Sequence, residues 1–169
     1  MGRSWYERTD SGEITVGELL KFDATQCADV SEDDDPTAIR SLAIHASDVL
    51  AALEACEQGT ETVLRVTPPF NGRMRARIHR IGADGTTEGR DEGTGAFHVP
   101  PSRLVDDDAP PYPRAVDTEP EGEYDVETHH ERHVTAVEEW REAVTRHLVN
   151  EVSLSTPAGE HRVDVAVLG

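Results

Sequence analysis

Residues 63–80 read VLRVTPPFNGRMRARIHR, and the way this run divides decides the fold. "TVLRVT" carries β-branched and apolar residues and reads as a strand. "PPFNG" has turn chemistry, with prolines ahead of an Asn-Gly pair. "RMRARIHR" alternates and reads as a second strand, so the two predict a β-hairpin. Successive side chains of a strand point to opposite faces. Arg73, Arg75, Arg77 and His79 therefore share one face, and Met74, Ala76 and Ile78 share the other. The apolar face is expected to pack on helices. The cationic face must meet solvent, a ligand or acids from elsewhere in the chain. With Arg65, the run holds five arginines and no acid.

Outward from this hairpin the periodicities change. "TAIRSLAIHA" (Thr37–Ala46) is strand-like, and "SDVLAALEACEQG" follows as a helix with Ser47 as N-cap and Gly59 as stop. Its apolar stripe is Val49, Leu50, Leu53 and Cys56. "GADGTTEGRDEGTG" reads as a long polar loop, "AFHV" as a short strand, and "PPSRLV" as a turn. Residues 106–122 hold four prolines and six acids and are expected to cross the surface extended. The longest helix is expected from about Tyr124 to Asn150, with a stripe through Val126, His130, His133 or Val134, Val137, Trp140, Val144 and Leu148. "EVSLST" and "HRVDVAVL" form a C-terminal hairpin with Val152 and Leu154 inward, opposite Val163, Val165 and Val167. The order β-α-β-β-β-α-β-β predicts an α+β domain, a mostly antiparallel sheet covered by two helices. Residues 1–35 read as an extension, with Thr15 and Glu18 spaced as a capping box and "SEDDDP" as a linker; residues 36–169 form the single domain.

"DPTAIRS", "VLRVTPPFNGRMRARIH", "PPYP" and the "H…AVEEWR" helix together resemble an uncharacterised family of small haloarchaeal proteins. The resemblance covers about Pro36 to Gly169. It implies a source and domain limits, and it carries no activity, cofactor or site residue.

Composition points the same way. Acids outnumber bases 34 to 16, for a formal charge of −18, and Lys21 is the only lysine. At such charge self-repulsion is costly in dilute salt and is screened by concentrated counterions. No apolar run approaches the roughly 20 residues that span a bilayer. The start "MGRSWYERTDSGE" lacks the apolar core of a secretory signal. Cys27 and Cys56 lie far apart and outside metal-ligand spacing, so Cys56 is expected as a buried free thiol. These features predict a cytoplasmic protein with no membrane partner.

Two readings of the arginine face stand side by side. In one, Arg65, Arg73, Arg75, Arg77 and His79 bind an anion, since a guanidinium grips phosphate with two hydrogen bonds, and Phe70 stacks on a base. In the other, the arginines pair with Asp and Glu of the same chain. "HHERH" places His129 and His133 at i and i+4, a candidate transition-metal pair lacking a visible third ligand. His79 and His98, each near a strand end, are the candidates for general acid or base. No nucleophile elbow, phosphate loop or Cys pair is present. The expected role is therefore non-enzymatic binding or assembly through the Arg face, with nucleic acid or an acidic protein surface as partner and no cofactor. The alternative is a metal- or histidine-dependent enzyme on the His-rich helix.

Overall fold

The computed structural model describes residues 34–83 and 85–169. The Thr15–Glu18 box, Cys27 and the first half of the expected linker, up to residue 33, lie outside the described residues. The elements are β1 (Ser41–His45), α1 (Ala46–Glu57), β2 (Thr62–Val66), β3 (Arg73–Arg75), β4 (Arg77–Arg80), β5 (Gly89–Arg90), β6 (Phe97–Val99), α2 (Val126–Arg146), β7 (Glu151–Thr156) and β8 (Gly159–Leu168). Short 3₁₀ turns cover Pro36–Ala38, Pro101–Leu104 and Ala115–Thr118.

The class is α+β, as the sequence predicts, but the strands form two four-stranded sheets instead of one. One has the order β3-β1-β8-β7 and the other β4-β2-β6-β5. The second is antiparallel throughout. In the first, β1 is parallel to both β3 and β8, and β7–β8 is the antiparallel C-terminal hairpin.

The division arises inside "RMRARIHR". Arg73–Arg75 joins β1, and Arg77–Arg80 pairs with β2 in the expected hairpin. Ala76 is the joint. It is fully buried, and its N–H donates to the Ala43 carbonyl at 3.0 Å. One ribbon thus forms an edge of each sheet.

The inner faces share one core. Leu42, Ile44, Val152, Leu154, Val163 and Val165 come from the first sheet, and Leu64, Val66, Phe97 and Val99 from the second. α1 adds Val49 and Ala52, and the Pro101–Leu104 turn adds Leu104. Val167, expected inside, is 40% exposed near the end of its strand. Cys56 is an exposed free thiol. The helix turns Ala52 inward and leaves position 56 at the rim, so the expected buried thiol is corrected.

α2 starts two residues later and stops four residues earlier than the sequence suggests. Asp125 caps it, accepting from the Thr128 N–H at 2.9 Å. Only its second half is buried, through Val137, Trp140 and Val144, whereas Val126 is 69% exposed. The proline-rich segment straps this helix. The Trp140 indole N–H donates to the Pro110 carbonyl at 2.9 Å, and Tyr112 meets the indole edge-on at 5.0 Å. Arg141 joins α2 to α1 through a two-pronged contact with Glu54, at 2.5 and 2.9 Å.

Candidate anion-binding face

In the β4-β2-β6-β5 sheet, β2 is central, and its alternation puts Leu64 and Val66 in the core and Arg65 on the outer face. Strand register then decides Arg65's neighbours. Arg77 of β4 is directly opposite on one side, and His98 of β6 is directly opposite on the other. His79 shares this face two residues beyond Arg77. Its ring centroid lies 5.7 Å from that of His98. From the other sheet, β3 brings Arg73 and Arg75 to the same region.

The result is an open surface cavity of about 500 Å3. Arg65, Arg73, Arg75, Arg77 and His79 line it, with Thr67, Met74 and Ile78. Five of the six residues expected to form the anion-binding set are thus brought together. The sixth, Phe70, is 4% exposed and belongs to the core cluster. That placement corrects its expected stacking role: a large ring in a short loop gains more from burial than from solvent. The expected two-faced split holds in part. Arg73, Arg75 and Arg77 are exposed and Ala76 is buried. Ile78 pairs with buried Leu64 but stays 41% exposed, because β4 is an edge strand.

The electrostatics of the face are lopsided. Among the described residues, the ion pairs join Arg103–Glu88, Arg141–Glu54, Arg146–Glu142, His147–Asp106 and Arg162–Glu151. None involves Arg65, Arg73, Arg75 or Arg77. Like charges directly opposite in an antiparallel pair repel, yet Arg65 faces Arg77. The His79 pKa is lowered, first by burial, then by the charge of Arg65 and of His98, with Asp91 opposing. Asp91 is the acid whose charge acts on His79, and its carboxylate is already occupied. It accepts from the Thr94 hydroxyl at 2.6 Å and the Gly93 N–H at 3.0 Å, and these two bonds are the main cause of its lowered pKa.

His98 itself is 3% exposed. Its Nδ1 lies 2.6 Å from the Thr86 carbonyl oxygen. His98 Nε2 and Arg65 Nε are buried without a hydrogen-bond partner among the described residues. Sequence reasoning singled out His98 for acid–base chemistry and did not join it to the arginines. The signal was present in "FHV", where a polar residue between two core residues of a strand must take the outer face.

The loop ahead of His98 is pinned at the start of β5. Glu88 meets Arg103 at 2.5 Å and Ser155 Oγ at 3.3 Å. Gly89 has φ +85°, a conformation that favours glycine, and lies against the Ser155 carbonyl of β7.

His129 and His133 go elsewhere. His129 Nε2 lies 2.6 Å from the Ala115 carbonyl oxygen, so it donates, and Nδ1 accepts from the Tyr124 hydroxyl at 3.1 Å. Both ring nitrogens are engaged by protein. His133 Nδ1 lies 3.4 Å from Thr118 Oγ1. The pair holds the Ala115–Thr118 turn against α2, and no group of three candidate metal ligands occurs among the described residues. No helix among them is long and apolar enough to cross a membrane.

A family model described as a domain of unknown function, DUF8009, matches residues 29–169. No curated protein and no solved structure matches the chain.

Proposed function

The chain belongs to the DUF8009 family, and within it we propose a non-enzymatic binding protein that grips the phosphate backbone of nucleic acid through Arg65, Arg73, Arg75 and Arg77. The observation that carries this reading is the open cavity lined by four arginines that no described acid neutralises. The chain holds 34 acids against 16 bases, so cations without an acid partner among the described residues run against its composition. Alternate residues of a strand are about 6.6 Å apart, which suits an extended chain of anions better than one small ion. The apolar lining is limited to Met74 and Ile78, with no aromatic anchor of the kind that dominates protein–protein hot spots. With Phe70 buried, no Phe, Tyr or Trp among the described residues lines the cavity, so recognition falls on phosphate and is indifferent to sequence.

The acidic, lysine-poor composition and the family resemblance support a haloarchaeal cytoplasm as the setting. At about 1 M salt the Debye length is near 3 Å, so counterion release and steering add little. Affinity then rests on direct two-pronged guanidinium–phosphate contacts.

The test is the double variant Arg75→Gln/Arg77→Gln, followed by a thermal melt and by titration with single-stranded RNA and DNA in molar KCl. Both residues are exposed, so stability is expected to stay within about 0.5 kcal/mol of the parent. Affinity is expected to fall at least ten-fold, from the loss of charge-assisted hydrogen bonds of about 1.5–3 kcal/mol each. A parent protein that binds neither polymer would sink the proposal, as would a variant that binds unchanged.

A further inference from the structure

We propose that the inner end of this face is a phosphomonoester subsite, in which Arg65, His79 and His98 hold a terminal phosphate while Arg73, Arg75 and Arg77 hold the phosphates that follow. The inference rests on the nucleic-acid reading above and names the part of the ligand that reading leaves open.

The starting point is the tautomer of His98. A carbonyl oxygen only accepts, so the 2.6 Å contact with Thr86 requires the proton on Nδ1. Nε2 is then the nitrogen left for a partner, and among the described residues it has none. Across the strand pair, Arg65 Nε is buried and equally without a partner. Native folds satisfy nearly all buried polar atoms, and two orphans opposite each other on one sheet face call for a shared occupant. His98 is 3% exposed, and its ring lies 5.7 Å from that of His79, which lines the cavity with Arg65 and Arg77.

The chemistry of the three side chains narrows the occupant. They are all donors or protonatable, and they converge from β2, β4 and β6. An internal phosphodiester offers two free oxygens, whereas a phosphomonoester offers three strong acceptor oxygens and more negative charge. A phosphomonoester also titrates near neutrality, with its second pKa about 6. One proton joins Nε2 to a phosphate oxygen, on the ring or on the phosphate. The groups facing His98 are Arg65 from β2, His79 from β4 and Asp91 beyond β5, with Arg77 on the far side of Arg65. His98 also lines a small cleft with Glu88 and Arg103, which are paired with each other. Two carboxylates near His98 oppose an anion, and both are already engaged: Asp91 by Thr94 and Gly93, and Glu88 by Arg103.

The experiment uses the full chain in molar KCl. Short oligonucleotides of one sequence, with a 5′-phosphate, a 3′-phosphate or hydroxyls at both ends, are titrated beside a nucleoside monophosphate. A preference of about ten-fold for one phosphorylated end over the hydroxyl form is expected, the size of one charge-assisted contact. His98→Leu is expected to abolish that preference and keep hydroxyl-ended binding within about two-fold, since the arginines remain. As His98 is buried, the parent protein supplies a second measurement: its ¹⁵N resonance at Nε2 should shift when inorganic phosphate is added.

Equal affinity for all three oligonucleotides with a stationary Nε2 resonance would overturn the subsite, leaving a water between the two nitrogens and the arginine face standing. Binding of the monophosphate without the oligonucleotides would keep the subsite and sink the nucleic-acid reading. Binding of none would end both.

Discussion

His79 stands among cations on a half-buried face, so its ring resists taking up a proton. Burial is the larger cause, and the charges of Arg65 and His98 add to it. The sign of the stability effect follows. The unfolded chain, with a histidine pKa near 6.5, binds the proton more readily than the folded one. Stability is therefore full above about pH 6.5 and is lost as pH falls toward the lower folded value. His79→Gln should flatten that part of the stability profile, read as the difference between parent and variant melts from pH 7.5 to 5.5. Parallel profiles would show that the ring feels no such field. A bound phosphate should do the reverse and raise the pKa of His79, because a negative neighbour favours the charged ring.

At the scale of elements, the informative feature is the joint between β3 and β4. Ala76 has no exposed surface, and the chain passes there from one ladder to the other. Ala76→Leu would force three extra carbons into a filled space between the sheets. Overpacking of this kind costs about 1–3 kcal/mol, so the denaturation midpoint should drop while far-ultraviolet dichroism stays native. An unchanged midpoint would mean the joint has slack. The sequence made most elements legible, because β2, β6, α2 and the C-terminal hairpin have local periodicity and local turns. It did not show the joint. The alternation from Arg73 to Arg77 is unbroken, and only β1, some thirty residues upstream, decides that the first half leaves the hairpin. The arginine face was legible for the same reason, since exposure alternates through the joint whichever sheet is joined. Phe70 was misjudged because turn residues on both sides mark the loop as exposed, while burial of the ring depends on core space that no local pattern records.

At the scale of the whole molecule, charge dominates. A formal −18 on 169 residues repels itself in dilute solution. Raising salt from about 0.1 M to 1 M shortens the Debye length from about 10 Å to 3 Å. The thermal midpoint should therefore rise between low and molar KCl, followed by circular dichroism. Equal midpoints at both would contradict the salt-adapted reading of the composition. The described ion pairs are mostly exposed, and such pairs contribute about 0–1 kcal/mol each, so their loss in salt does not offset the gain.

The strap and the paired helices close one side of the molecule, but it is the shared ribbon that makes its two sheets a single thermodynamic object. Residue 76 donates its amide proton to Ala43 in one ladder, and residue 77 begins the other. Opening either sheet at this edge pulls on the other, as undoing a hem loosens both panels of cloth. The backbone amides of β1 and β2 should then exchange with deuterium on one common timescale, through one opening event. Two well-separated exchange classes would show that the sheets breathe apart. A ligand lying along Arg73 to Arg77 would stitch that hem, and should slow exchange in both sheets at once, including strands it never touches.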